Sequence, residues 1–298
     1  MKLKGKVALI AGGGQGIGEG ISLCLAEEGA DVAIADINGD NAKKVADKAK
    51  SLGRKALAVS ADLTEEDEVK RTVQETVNFS GRIDILISNL GGVTLETVMH
   101  MGEVRAALGD DSLPEFMYFD AKVWDHYYRL NLRSHALLSQ AVTPHFIKQR
   151  SGKIVNISSV AGRLAEPTQM PYGSMKAGDI SLTWSLARAL APYNVTVNCI
   201  APGFVYTPLW DMGATIRHQM AREAMAKGQT LPPGVDPDDI ERLTPRELWL
   251  KYIVKPSTPL GREQTAEDMG RAVVFLVSDD AKNITGQVLH VDGGLAMR

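Results

Sequence analysis

Seven short aliphatic runs, separated by segments long enough for a helix, constrain this chain more than any other feature. They read KVALIAG (6–12), DVAIAD (31–36), KALAVSAD (55–62), IDILISN (83–89), GKIVNISS (152–159), NVTVNCIAPG (194–203) and GQVLHVDGG (286–294). Runs of this length, bounded by glycine and rich in branched side chains, fit buried strands. Between the first two, GIGEGISLCLAEEGA places Ile17, Ile21 and Leu25 at helical spacing and stops at Gly29. NGDNAKKVADKAKSLG is an amphipathic helix ending at Gly53. In TEEDEVKRTVQETVNFSG, Thr64 and Asp67 have the spacing of a capping box and Gly81 is the stop signal. The acidic residues there favour the positive end of the helix dipole. Strands alternating with helices imply parallel pairing through right-handed crossovers. The expected fold is α/β, a doubly wound parallel seven-stranded sheet with helices on both faces, and 298 residues fit a single domain.

Composition narrows the partners. A hydrophobic fraction of 44% and a charged fraction of 23% fit a globular protein with a large core. A net charge of −3 gives no reason to expect nucleic acid or an anionic membrane surface. No apolar run reaches membrane-spanning length, and the run after the basic start, Val7 to Ala11, is too short for a signal peptide. The two cysteines, Cys24 and Cys199, sit among apolar neighbours and read as small hydrophobes. So low a count suits a reducing compartment, and a cytoplasmic location is expected. The six histidines lack metal-ligand spacing, so no metal is expected; His126 and His135 read as helix-surface or packing residues.

Parallel sheets of this kind bind ligands beyond the carboxyl ends of their strands. The first strand ends in Gly12-Gly13-Gly14-Gln15-Gly16-Ile17-Gly18 and runs directly into a helix. Glycines there let the backbone approach a pyrophosphate, which sits against the free amides and positive dipole end of the helix. The second strand ends in Asp36, whose carboxylate can accept hydrogen bonds from ribose hydroxyls and repels a 2′-phosphate. Gln15 and Ile37 beside it supply no positive charge, so NAD is favoured over NADP. Asp62 and Leu63 end the third strand, placed to flank an adenine. Asn89, Leu90 and Gly91 end the fourth, where a missing side chain lets a cofactor come close.

Taken in order, AGGGQGIG, ADL at 61–63, NL at 131–132, IVNISSVAG, YGSMK, APGFVYT and ITGQVLHVDGG resemble the short-chain dehydrogenase/reductase family. The similarity runs from about Lys6 to Gly294. It implies a Rossmann-like domain, an NAD(P)-dependent oxidoreductase, and commonly a tetramer or dimer built through the long helices. Two positions depart from the family pattern: Ala11 stands where a threonine is usual, and Leu90 where an alanine is usual.

Two Tyr-x-x-x-Lys pairs compete for the chemistry, Tyr172 with Lys176 and Tyr118 with Lys122. On a helix this spacing puts both side chains on one face. A neighbouring ammonium, helped by a cationic nicotinamide, favours the phenolate form of a tyrosine. Ser159, thirteen residues before Tyr172, matches the family's catalytic serine and can donate a hydrogen bond to the reacting oxygen. Ser158 would point the other way along an extended strand. Asn131 matches the asparagine that joins a water-mediated proton relay in the family. Tyr118 has Arg105 at the corresponding serine position and reads as an aromatic anchor. Pro202, Gly203, Val205 and Thr207 resemble the turn that covers the nicotinamide carboxamide.

The expected activity is hydride transfer between NAD and a secondary alcohol or ketone, with a bulky or apolar substrate. The alternatives are a 3-oxoacyl-thioester reductase, which in the family usually prefers NADPH, and a dinucleotide-sensing protein without turnover. An enoyl reductase fits less well, because its tyrosine and lysine are farther apart. Two segments are long against the family pattern, one near 93–122 and a substrate loop near 208–258. Trp210, Met212, Met220 and Met225 in the second either line an apolar pocket or pack the loop onto the core. Gly173, Ser174, Ala177 and Gly178 allow close approach of a partner helix or close packing within one subunit.

Overall fold

The computed structural model describes residues 1–110, 112–231 and 234–297, and parts of both long segments fall outside them. Strands β1 (Val7–Ala11), β2 (Asp31–Asp36), β3 (Ala56–Ser60), β4 (Ile85–Ser88), β5 (Gly152–Ile157), β6 (Val195–Pro202) and β7 (Val288–Val291) lie where the aliphatic runs put them. All pair in parallel, in the order 3-2-1-4-5-6-7. The order reverses between β1 and β4, which opens a crevice at their carboxyl ends.

Helices α1 (Gly16–Glu27), α2 (Gly39–Ser51), α3 (Glu66–Ser80), α4 (Leu95–Leu108), α5 (Ala121–Tyr128), α6 (Ser134–Gln149), α7 (Met170–Leu190) and α8 (Pro208–Ala226) follow in chain order. The period-two alternation of strand side chains divides them between two cores. Ile10, Ile34, Ile87, Val155 and Ile200 face α1, α2 and the helix Ala266–Val277. Leu9, Ala33, Leu86, Ile154 and Val197 face α3, α6 and α7. A central strand such as β1 is buried at all five positions, which is why it reads as an unbroken apolar run.

One expected cap is not formed. α3 begins at Glu66 after an extended Glu65 that makes no side-chain cap, and Thr64 instead gives both its amide and its hydroxyl to Asp62 Oδ1, at 3.0 and 2.7 Å. The short Asx turn at Asp62 satisfies Thr64 locally, so its hydroxyl is not free to cap. Reciprocal capping boxes occur at Thr244 with Glu247 and at Thr265 with Asp268. Gly81 does end α3, in the left-handed region.

The first long segment folds into α4 and a turn at Glu115–Tyr118, packed on α5. The second folds into α8 and two short helices, Pro237–Arg242 and Pro245–Trp249. Within it the buried Asp239 carboxylate gathers Lys251, Tyr252 and Arg242, and hydrogen bonds from the first two hold it well below the usual carboxylate range. Gly173 and Gly178 are used inside the subunit: a Cβ on either would come within 2.9 Å of Ala161 O or 2.8 Å of Leu132 Cδ2. Among the described residues no helix is long and apolar enough to cross a membrane.

Phe146 on α6 is fully buried, and β5 starts close above it because Gly152 has no side chain; a Cβ there would meet the ring at 2.4 Å. Phe146→Ala is expected to destabilise the fold by about 3–5 kcal/mol, the usual range for a buried aromatic truncated to alanine. Denaturant unfolding followed by far-UV circular dichroism measures it.

Candidate active site

The turn after β1 is shaped by contacts that exclude side chains. Gly12 takes a φ of 71°, and a Cβ on Gly18 would lie 1.9 Å from Gly12 O. Asn89, just past β4, donates its side-chain amide to Gly12 O at 2.8 Å and so clamps the turn from the neighbouring strand. Gln15 makes no side-chain cap on α1, which leaves the first-turn amides of Gly16, Ile17 and Gly18 open to an anion. Such a cradle, with no room for a side chain, fits a pyrophosphate.

Asp36 closes the cradle on its outer side. Its Oδ2 accepts from Gly14 N at 2.9 Å and its Oδ1 from Asn38 N at 3.0 Å. The carboxylate is thus fixed against the glycine turn, with lone pairs left for ribose hydroxyls. Ile37 beside it is 73% exposed and carries no charge. Leu63 and Val205 turn their side chains into the two cores, so any contact they make with a dinucleotide comes from the main chain. Asp62 stands beside them, occupied in its turn with Thr64. On the far side Thr207, at the start of α8, packs against Gly16: a Cβ there would be 3.3 Å from Thr207 Cγ2. Pro202 ends β6, and Gly203 N bonds to Val291 O at 3.2 Å.

The proton-transfer candidates converge on one end of α7. Tyr172 is half-buried, and the Lys176 ammonium lies 5.9 Å from its ring centroid. Ser159 sits in extended backbone just past β5, where its Oγ accepts from Ala161 N at 3.1 Å and keeps its own proton to donate. The turn that follows, Val160–Gly162, is pressed onto α7: a Cβ on Gly162 would be 2.8 Å from Lys176 O. Ser158 instead donates to Lys176 O at 2.7 Å, a structural pin consistent with its opposite direction on the strand. Asn131 is fully buried in a π-turn, Arg129–Arg133, between α5 and α6. Its Oδ1 accepts from Gly92 N at 2.8 Å, so it fastens the loop after β4. A π-turn of this kind often marks a functional position, and nothing in the local sequence announces it.

Lys176 itself is 2% exposed, and its ammonium donates to Ile157 O at 2.9 Å and Leu90 O at 3.4 Å. Its third partner is Asp179 Oδ2 at 3.2 Å, and Asp179 Oδ1 in turn lies 3.0 Å from His135 Nδ1. Sequence reasoning missed this acid and assigned His135 only to surface or packing. The signal was a lone aspartate three residues after the lysine, on the same helical face, and a histidine inside the apolar run SHALLSQAV. His126 bonds Thr94 Oγ1 at 3.2 Å.

Tyr118 is an anchor. It is 1% exposed, its hydroxyl donates to Asp110 O at 3.1 Å, and Arg105 lies over its ring at 4.9 Å. Trp210 packs with Phe204 and Trp249 at ring separations of 5.8 and 5.5 Å, so it belongs to the aromatic core of its own loop. Met212 and Met220 are exposed and Met225 half-buried. Val93, Met101, Trp124, Tyr127 and Met175 form an apolar wall beside Tyr172. Both cysteines are free and buried, and burial pushes the Cys24 thiol up to about 11 and the Cys199 thiol up to about 12. Neither is a nucleophile near neutrality. Among the described residues no three His, Cys, Asp or Glu side chains converge as metal ligands.

Comparison with known proteins agrees with this geometry. Residues 6–219 match the family model described as short chain dehydrogenase, and residues 249–296 match one described as enoyl-(acyl carrier protein) reductase. The chain is 34% identical to the 3-oxoacyl-(acyl-carrier-protein) reductase of Thermotoga maritima over 297 residues, covering 100% of both chains. It is 36% identical to that of Aquifex aeolicus, covering 99% of each. Among solved structures, a 7α-hydroxysteroid dehydrogenase in complex with NADH and 7-oxo glycochenodeoxycholic acid superposes with a TM-score of 0.73 at 29% identity, covering 98% of this chain and 95% of that one. An NAD⁺-bound xylitol dehydrogenase superposes with a TM-score of 0.79 at 27% identity, covering 99% of this chain and 100% of that one.

Gly18→Ala is expected to force the turn open and weaken dinucleotide binding by about tenfold or more, since displacing the turn by even 1.4 kcal/mol has that effect. Titration with NADH, followed by its fluorescence, checks this.

Proposed function

We propose the reaction from one premise: the chain belongs to the short-chain dehydrogenase family and is an oxidoreductase. The reading the site supports best is interconversion of a secondary alcohol and its ketone with NAD. The observation that carries it is the buried Lys176 ammonium beside the Tyr172 ring, on the helix against which the Ser159 turn is packed.

The residues divide the work by position. Gly12 to Gly18 and the start of α1 would hold the pyrophosphate, Asp36 the adenosine ribose, and Lys176 the nicotinamide ribose. NAD, when bound, supplies the hydride acceptor or donor. In oxidation Tyr172 takes the proton from the substrate hydroxyl, and the ammonium beside it favours the resulting phenolate. Ser159 donates a hydrogen bond to the same oxygen as charge develops there. In reduction Tyr172 gives the proton back. Asn131 keeps the Gly92 loop in register with Lys176.

Asp36 supports NAD over NADP, because its anion is fixed by two amides where a 2′-phosphate would meet it, and Gln15 and Ile37 offer no compensating cation. The apolar wall of Val93, Met101, Trp124 and Met175 supports a bulky substrate. A second reading, the 3-oxoacyl-thioester reductase, is favoured by the Thermotoga and Aquifex relatives, which are named 3-oxoacyl-(acyl-carrier-protein) reductases. That substrate is itself a ketone, so the same tyrosine, lysine and serine serve it. Two free, buried cysteines suit a cytoplasmic location. The exposed Ser174 and Ala177 on α7 leave a surface for a dimer or tetramer.

Tyr172→Phe is expected to lower kcat by about 10²–10⁴-fold, the usual worth of a general acid–base group, with NADH binding retained. Unchanged turnover would remove Tyr172 from the chemistry, and a non-catalytic sensor would show none in the wild type. Asp36→Ala is expected to raise kcat/KM with NADP⁺ relative to NAD⁺ by about tenfold or more, the effect of removing a charge repulsion of about 1.4 kcal/mol. A panel of secondary alcohols and 3-oxoacyl thioesters, followed by cofactor absorbance, decides between the two substrate classes.

A further inference from the structure

The array behind Tyr172 holds more charge than a lysine anchor needs. Lys176, Asp179 and His135 are 2%, 0% and 0% exposed. His135 Nε2 lies 2.8 Å from Leu90 O, and a carbonyl can only accept, so Nε2 carries a hydrogen. His135 Nδ1 lies 3.0 Å from Asp179 Oδ1, and among the described residues neither atom makes a hydrogen bond. A bare imidazole nitrogen and a bare carboxylate oxygen repel at that distance inside a core. One proton therefore belongs between them, on the ring or on the carboxyl. With either placement the three side chains together carry one net positive charge.

Among the described residues, the other groups that contact the array add no positive charge. The Cys199 thiol on β6, pushed up to about 12 by burial and next by Asp179, stays neutral. Asn131 from the π-turn, Leu90 O and Ile157 O from the strand ends are uncharged, and the remaining titratable neighbour is Tyr172 on α7. We propose that His135 and Asp179 are positioning residues for Lys176, and that the proton they share keeps the array cationic so that it stabilises the Tyr172 phenolate. This rests on the reading of Tyr172 as the proton-transfer group. Without the shared proton, the Asp179 carboxylate would cancel the lysine charge and leave less of Tyr172 as the phenolate near neutrality.

The test compares pH profiles of kcat/KM for alcohol oxidation. His135→Gln leaves Lys176 facing an uncompensated carboxylate, and the acid limb is expected to move up by about 1.5 pH units, the size of a unit charge about 8 Å away at an effective dielectric of about 20. Adding Asp179→Asn removes the carboxylate, restores the net charge and should return the limb to its wild-type position. Asp179→Asn alone lowers the rate, because Lys176 is less firmly held, but leaves the limb in place. A purely structural role would lower rate or thermal stability without this pattern. An acid limb unmoved in His135→Gln, still displaced in the double variant, or displaced in Asp179→Asn would overturn the proposal; if His135→Gln does not fold, the other two variants decide. Nitrogen NMR of histidine-labelled, unliganded protein gives a readout that needs no turnover, with the double variant assigning the His135 signals. A protonated or strongly hydrogen-bonded Nδ1 is expected, and a bare Nδ1 at neutral pH would overturn the shared proton even if Tyr172 proves catalytic. Conversely, a wild type inactive on every alcohol and ketone would sink the reaction while the spectrum still judged the proton.

Discussion

A buried ammonium organises this molecule. Taking a lysine out of water costs several kcal/mol unless its three hydrogens find partners. Those of Lys176 are met by a carbonyl past the end of β4, by the last carbonyl of β5 and by Asp179 on its own helix. The requirement fixes α7 against the carboxyl edge of the sheet, and with it the position of Tyr172. The Ser159 turn packs against the same helix through Gly162 and Gly173, where no side chain fits. Proton chemistry and helix docking are thus one constraint.

At the other end of the crevice the site is built mostly from main chain. Gly12, Gly14 and Gly18 are held so closely by Asn89, Asp36 and each other that only glycine can occupy them. Asp36 sets the loop there as an acceptor from Gly14 and Asn38, and in the proposed function the same anion faces the ribose. That coupling makes it rigid, because the carboxylate cannot swing away without releasing Gly14.

The two long segments serve the site differently. The first brings Val93 and Met101 to the apolar wall around Tyr172. The second closes on itself: Phe204 packs edge to face with Trp210 and Trp249, and Asp239 gathers Lys251, Tyr252 and Arg242. It therefore has its own small core, and Thr207 at its start rests on Gly16.

Sequence alone determined the seven strands and the glycine turn, and it singled out Asp36 and Tyr172 as candidates, because each depends on local periodicity or on residues close in the chain. It misjudged the cap at Thr64, since a competing bond to Asp62 is a matter of local geometry that spacing does not encode. It left the roles of Trp210 and of the small residues on α7 open, and tertiary packing decided both. The acid and histidine behind Lys176 are the clearest case. His135 and Asp179 lie 44 residues apart, and each alone is an ordinary helix residue. Only the crossing of α6 and α7 above β4 buries them together, and burial is what turns two ordinary polar groups into a pair that must share a proton.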